Sequence, residues 1–269
     1  MLVNGTAIGE VGINDRGFLY GDGVFRTFQI RQSRPVLWAK HYAKLNHDCT
    51  ALKLICPDEL LLLKEVLNLS RAMTDGVGKI IITRGTSERG YAPPVHTNTT
   101  RVVTVSSSPS YPDNNYSHGV RLHLCELKLA RQPRLAGIKH LNRLENVLAA
   151  AEWQDPSIAE GLLLDEAGHV IEGTRSNLFA LIKGELLTSP LTYSGVAGVQ
   201  RDRVLAWAAE HQFPHREADF SLDELRHAEE IFLVNSIFGL WPVRKFMGYE
   251  RHSFPIAHQI QKWLADEIH

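Results

Sequence analysis

The residues best suited to chemistry are one lysine, one carboxylate and a small-residue loop that feeds a helix. Lys139 follows Gly137 and the apolar Ile138, inside a stretch from Arg121 to Arg143. That stretch holds six basic residues (Arg121, Lys128, Arg131, Arg134, Lys139 and Arg143) against the single acid Glu126, a local balance of +5 over 23 residues. Such runs are most often solvated faces. An amine partly removed from water beside other cations, however, has a lowered pKa and offers the neutral form that a nucleophile needs. Glu172 ends the short strand Val170-Ile171-Glu172, with Asn177 five residues on. The segment Ser194-Gly195-Val196-Ala197-Gly198-Val199-Gln200 precedes a helix that carries Arg201 and Arg203 in its first turn. The first backbone N–H groups of a helix lack intrahelical acceptors, so this end suits a phosphate. A carboxylate, a candidate nucleophilic lysine and a phosphate-type loop match a cofactor with a ring nitrogen, an aldehyde and a phosphate, which pyridoxal phosphate combines. The loop is neither a Walker loop nor a GxGxxG fingerprint, and there is no GxSxG, HExxH or spaced Cys/His set. Serine hydrolase and metal-enzyme readings therefore lose their usual support, and no metal site is expected.

The elements that must position these groups read as follows. Asn4-Gly5 between Leu2-Val3 and Thr6-Ala7-Ile8 is a hairpin signal. Val24 to Ile30 reads as a strand, and Tyr42, Leu45, Cys49 and Leu52 recur at helical spacing. A second helix is expected after Pro57, with the proline at its first position. Lys79–Arg84 and Arg101–Ser107 read as strands. The Ser-, Pro- and Asn-rich run 106–119 prefers turns, which predicts a domain over 1–111, a linker over 112–119 and a second domain over 120–269 carrying Lys139. Beyond it come a strand at Val120–Cys125, a helix from Leu141 to Gln154 and a strand at Gly161–Asp165. A hairpin turns around Lys183-Gly184, a helix opens after Gly198, and Ser221 with Glu224 forms a capping box. The strand Ile231–Val234 and a last helix follow. Strands alternating with helices predict an α/β (α+β) fold.

The 269 residues are 44% hydrophobic, enough for a sizeable core. The 29 Lys and Arg nearly cancel the 30 Asp and Glu, so no global field favours nucleic acid. Cys49, Cys56 and Cys125 form no CxxC pair, as expected in a reducing compartment. No apolar run reaches membrane-spanning length, and the N-terminus lacks the order of a secretory signal, so a cytoplasmic protein is expected.

A set of motifs in fixed order then stands out: Asp15-Arg16-Gly17 and Tyr20-Gly21-Asp22-Gly23-Val24-Phe25, Arg84-Gly85 with Arg89-Gly90-Tyr91, Gly137-Ile138-Lys139-His140-Leu141-Asn142-Arg143-Leu144-Glu145, and Glu172-Gly173-Thr174-Arg175-Ser176-Asn177. This order resembles the fold-type IV pyridoxal-phosphate enzymes, from the N-terminus to about Gly239. The resemblance implies two α/β domains with the cofactor in the cleft they form, and a homodimer. It makes Lys139 the catalytic lysine that also holds the cofactor, and Glu172 the partner of the pyridine nitrogen. Val196 would pack on the ring, Val199, Gln200 and Ser236 would hold the phosphate, and Arg89 and Tyr91 would lie near a substrate carboxylate. Lys44 stands where the family usually has a phosphate-binding arginine, and it supplies a point charge in place of a planar fork. Phe18 stands where some members carry an assisting threonine. Within the family the GIKHLNRLE and RGxxxRGY patterns look most like the aminodeoxychorismate lyases of folate biosynthesis, which act on an anionic small molecule; the D-amino-acid and branched-chain aminotransferases are the alternative.

Overall fold

The computed structural model describes residues 1–7, 9–95 and 98–266, so Ile8 of the first hairpin lies outside the described residues. The chain forms two compact units, Met1–Pro109 with Ile138–Asn142, and Ser110–Gly137 with Arg143–His269. Both mix helices and sheets, the α+β composition predicted above.

The first unit contains β1 (Leu2–Val3), α1 (Arg16–Tyr20), β2 (Gly23–Arg31), β3 (Arg34–Pro35), α2 (Trp38–Ala51), α3 (Glu59–Ser70), β4 (Asp75–Thr83) and β5 (Thr100–Ser106). Its sheet is antiparallel in the order β1-β5-β4-β2-β3. Alternate β2 residues Val24, Phe28 and Ile30 join Leu45 and Cys49 of α2 and Leu62 and Val66 of α3 in one buried cluster. Asn4 and Gly5 both take positive φ, 50° and 85°, as the hairpin reading of that pair requires. The expectation that Pro57 opens α3 is corrected. Asp58 is the N-cap, its side chain accepting from the Leu60 and Leu61 N–H groups, and Pro57 stands one residue outside.

The second unit contains α4 (Asn114–Ser117), β6 (Val120–Leu129), α5 (Leu144–Ala150), β7 (Ile158–Asp165), β8 (Val170–Gly173), β9 (Asn177–Ile182), β10 (Glu185–Thr188), α6 (Val199–Glu210), β11 (His215–Glu217), α7 (Leu222–Arg226), β12 (Glu230–Asn235), β13 (Gly239–Phe246), β14 (Tyr249–Glu250) and α8 (Pro255–Asp266). The sheet runs β11-β10-β9-β12-β13-β6-β7-β8, and a further β8–β9 pairing, Glu172 opposite Asn177, closes a circuit of six strands. Strands β9 and β12 are buried on both faces. Leu178, Ala180, Ile231 and Leu233 enter one cluster, and Phe179, Phe232 and Val234 enter another with Trp207 of α6 and Ile260 of α8. This is why both read as continuous apolar runs. The capping box at Ser221 and Glu224 is present.

Two boundaries differ from those expected. Tyr111 and Tyr116 pack edge-on against Trp241 of β13, with ring centroids 4.9 and 6.2 Å away, so the segment read as a linker belongs to the second unit. Ile138, 3% exposed, sits in the first unit's core, and Val24 of β2 pairs with His140. Burial of Ile138 and these backbone bonds take Lys139 into the first unit, although the chain on either side belongs to the second. The helix expected from Leu141 starts only at Leu144, because the backbone before it is committed to β2: the Leu141 N–H donates to the Gly23 carbonyl at 3.0 Å, beside the Val24–His140 bridge. No described helix is long and apolar enough to cross a membrane.

Candidate active site

Lys139 is held by its backbone. Its carbonyl accepts the Phe25 N–H at 3.0 Å, and its own N–H donates to Asp48 Oδ2 at 3.1 Å. The ammonium lies over the Phe25 ring, 4.4 Å from the centroid, a cation–π contact. Asp48 is 1% exposed and forms a buried ion pair with Arg26 of β2. Three residues of α2, His41, Lys44 and Asp48, follow one another at spacings of three and four, so they share a face of the helix. His41 is buried against Phe28, with ring centroids 5.5 Å apart. Burial first, then the charges of Arg26 and Lys139, push its pKa down to about 3.

The low pKa of His41 has a stability consequence. Its unfolded-state value is near 6.5, so below that pH the unfolded chain takes up a proton that the folded chain refuses. The stability from keeping His41 neutral is fully present above about pH 6.5 and is lost as pH falls toward 3, at up to about 1.4 kcal/mol per unit. His41→Gln, which carries no such proton, is expected to flatten the decline in urea-unfolding free energy from pH 6.5 to 4.5. An unchanged slope would contradict the buried neutral imidazole.

Asp48 serves both the fold and the lysine, so its substitution reads out both. Asp48→Asn keeps an acceptor for the Lys139 N–H but removes the charge facing Arg26. Breaking a buried pair costs about 3–5 kcal/mol, whereas replacing both partners by apolar residues restores most of it. Urea unfolding of Asp48→Asn and of Arg26→Met/Asp48→Leu is expected to give that order; equal losses in the two variants would contradict it.

The motif around Asp15 to Asp22 is a network that shapes the loop ahead of β5. Asp15 caps α1 through the Gly17 N–H and accepts the Thr83 hydroxyl at 2.9 Å. Buried Arg16 donates to the carbonyls of Gly90 at 3.0 Å and Tyr91 at 2.7 Å, and to Ser87 Oγ at 3.0 Å. Tyr20 packs on Tyr91, with centroids 5.3 Å apart. Asp22 accepts from Arg16 Nε and from Nε and Nη2 of Arg84. Burial raises the Asp22 carboxyl, but the hydrogen bonds and charges of Arg84 and Arg16 outweigh it and hold the group below its ordinary range. Arg89 and Tyr91 stand exposed on the loop that Arg16 anchors, and Phe18 is also exposed.

In the second unit, buried Glu172 accepts the Val196 N–H at 2.9 Å and the Asn177 side-chain amide at 3.3 Å. Asn177 also donates to the Val196 carbonyl at 2.7 Å and accepts the Gly198 N–H at 3.2 Å. One asparagine thus ties the carboxylate, the loop and the start of α6 together. Gly195 takes φ +86°, and a Cβ on Gly198 would stand 2.3 Å from Asn177 Oδ1, so both loop positions need glycine. Gly198 is the N-cap of α6 and has no side chain to cover the Val199 and Gln200 N–H groups. By register, Asn177 pairs with Val234, which places Ser236, in the β12–β13 turn, at this same end of the sheet. A buried carboxylate beside an uncapped helix N-terminus and a serine can hold a group with a basic ring nitrogen and an anionic tail.

The family model for class IV aminotransferases matches residues 23–246. The chain belongs to that family. A curated relative, "Aminodeoxychorismate lyase" of Vibrio harveyi, is 35% identical over 256 residues, covering 95% of this chain and 94% of that protein. "D-alanine aminotransferase" of Staphylococcus aureus (strain MSSA476) is 27% identical over 96% of this chain and 93% of its own. The crystal structure of 4-amino-4-deoxychorismate lyase from Pseudomonas aeruginosa superposes with a TM-score of 0.95 at 43% identity, covering 99% of this chain and 98% of that one.

Several expectations about this class IV chain need correction. The basic stretch is not one positive field: Arg121 pairs with Asp155 at 3.3 Å, while Arg131 pairs with Asp165 at 3.7 Å and lies over the Tyr193 ring. Arg201 and Arg203, in the first turn of α6, point away from its N-terminus. Arg201 donates to the Ser189 carbonyl and pairs with Glu217, and Arg203 donates to the Leu264 carbonyl. Backbone N–H groups therefore make up the donor set at the head of α6. The sequence reading also gave no role to Arg26 and Asp48, or to Arg16 within its motif. Its available signal was a charge in an apolar pattern, since Arg26 falls in the inward series of Val24, Phe28 and Ile30, and Asp48 on the Leu45–Cys49 face.

Proposed function

We propose that the chain is a lyase that converts 4-amino-4-deoxychorismate to 4-aminobenzoate and pyruvate with pyridoxal phosphate as cofactor. The observation that carries this reading is the full-length match, at 43% identity, to the Pseudomonas aeruginosa lyase. The residues fit the cofactor. Lys139 supplies the amine for its aldehyde, Glu172 a buried carboxylate for its ring nitrogen, and Val199, Gln200 and Ser236 donors for its phosphate, while Val196 is assigned to the ring and Lys44 to a further phosphate charge. The homodimer implied by the family resemblance and the cytoplasmic location expected from the sequence belong to the same reading.

Bound pyridoxal phosphate supplies an aldehyde for a covalent link to an amine and a ring that accepts the electron pair left when a neighbouring carbon loses a proton. Glu172 would hold a proton on the cofactor's ring nitrogen by favouring its charged form. With the cofactor in place, the side-chain amine of Lys139 would take the proton from the amine-bearing ring carbon of the substrate. The carbon–oxygen bond to the enolpyruvyl group then breaks as the substrate ring becomes aromatic, and Lys139 returns a proton to the departing group, which leaves as pyruvate. Arg89 and Tyr91 orient the substrate through a carboxylate.

Arg89→Ala is expected to lower kcat/KM for aminodeoxychorismate by about tenfold or more, since a hydrogen bond to a charged group contributes about 1.5–3 kcal/mol. A neutral amino acid should be affected less, and the reverse order in steady-state assays would remove Arg89 from the substrate site. The function itself is tested by product analysis of the cofactor-loaded protein. Equal amounts of 4-aminobenzoate and pyruvate from aminodeoxychorismate support it; faster transfer of amino groups from D- or branched-chain amino acids to keto acids would assign the chain to the aminotransferases.

A further inference from the structure

In the second unit, three potential metal ligands converge on the outer part of the β6–β7 region. They belong to none of the groups assigned above. His123 and Cys125 are two residues apart on β6, so their side chains leave the same face of the strand. Glu152 comes from the turn that follows α5. One donor atom from each of the three lies within 4.8 Å of the others. His123 Nε2 and Glu152 Oε2 are 3.3 Å apart. Tetrahedral zinc, with Zn–N and Zn–O bonds of about 2.0–2.1 Å, places two such ligands about 3.3 Å from one another.

The surroundings prepare these groups. The β6–β7 register shifts between Leu124 and Lys128, which frees backbone N–H groups on β6. Glu152 accepts two of them, Glu126 N–H at 2.6 Å on Oε2 and Leu127 N–H at 2.9 Å on Oε1. This fixes the carboxylate in the way that outer hydrogen bonds orient metal ligands. Capping the bulge accounts for Glu152 alone; it gives no reason for an imidazole and a thiol to meet it. Gly161, opposite His123 in the ladder, makes room for the thiol, since a Cβ there would stand 2.7 Å from Cys125 Sγ and from the Trp153 ring. His123 and Glu152 retain 28% and 19% side-chain exposure, so one side stays open to solvent.

We propose that His123, Cys125 and Glu152 form a zinc-binding site, with water as the fourth ligand. On binding, the sulfur–zinc bond forms, the thiol proton passes to solvent, and no redox change occurs. The bound ion ties the turn after α5 to β6.

The test uses the full chain in a Cys49→Ala/Cys56→Ala background, which leaves Cys125 as the one thiol. Metal-free protein is titrated with Zn²⁺ by calorimetry and with Co²⁺ in the spectrometer. The expected result is one ion per chain and a near-ultraviolet thiolate-to-cobalt absorption. Cys125→Ser should abolish that absorption, and Cys125→Ser, His123→Asn and Glu152→Gln should each weaken Zn²⁺ binding at least tenfold. No binding, binding without the cobalt–thiolate absorption, or affinity unchanged in all three variants would overturn the proposal. The last two outcomes would mean that other histidines among the 13 in the chain bind the ion. The spectrum of the parent protein decides the matter even where a variant fails to fold.

Discussion

Lys139→Ala is expected to lower the rate of 4-aminobenzoate formation by at least about 10³-fold. A positioned acid–base group contributes about 10²–10⁴-fold, and this one lysine is assigned both the cofactor linkage and the proton transfers. The fold should survive, because the bonds that seat this residue come from its backbone N–H and carbonyl, to Asp48 and from Phe25. Ile138 alongside remains in the core. Urea unfolding close to that of the parent, together with the lost rate, would separate chemistry from collapse. Turnover within tenfold of the parent would remove Lys139 from the centre of the mechanism.

Glu172→Gln is expected to retain the cofactor and to lose about 10²-fold in kcat. Glutamine keeps an oxygen for the Val196 N–H, which Glu172 now takes at 2.9 Å, so the loop ahead of α6 should hold its shape. It loses the charge that favours a protonated ring nitrogen. A shift of two pKa units corresponds to about 2.7 kcal/mol, which as a barrier is a hundredfold in rate. Cofactor titration followed visibly, with kcat measured at saturation, checks both halves. An unchanged kcat with cofactor bound would exclude the proposed role, and lost binding with unchanged kcat at saturation would make Glu172 an anchor only.

The sequence carries the local features of this fold clearly. Asn4-Gly5, Lys183-Gly184 and the Ser221–Glu224 capping box act through neighbours a few residues away, and each is present in the structure. Lys139 stands out for a related reason, since the apolar Ile138 beside it signals a lysine held near a core. Long-range pairing is less visible. Nothing near Asp48 in the chain announces that it meets Arg26 from another element and the backbone of residue 139 from far along the sequence. Glu160 is similar. It is fully buried, with burial raising its pKa against the opposing effects of Arg175, Thr174, Gly161 and Ser176, yet in sequence it reads as one acid among 30 charged acids. Strand β13 is hard to read from sequence, since Pro242 argues against a central strand, though it takes its place opposite Phe232. The basic stretch misled because charge counted along the chain ignores direction: Arg121 of β6 and Arg131, two residues past its end, pair with separate acids.

The central claim is that Lys139 is the residue joined to the cofactor. Borohydride reduction of the pyridoxal-phosphate-loaded protein, followed by proteolysis and mass spectrometry of the labelled peptides, tests it most directly. The account predicts one stoichiometric label, on the peptide containing Gly137-Ile138-Lys139-His140. A label of that stoichiometry on Lys44 or any other lysine, with Lys139 unmodified, would contradict it.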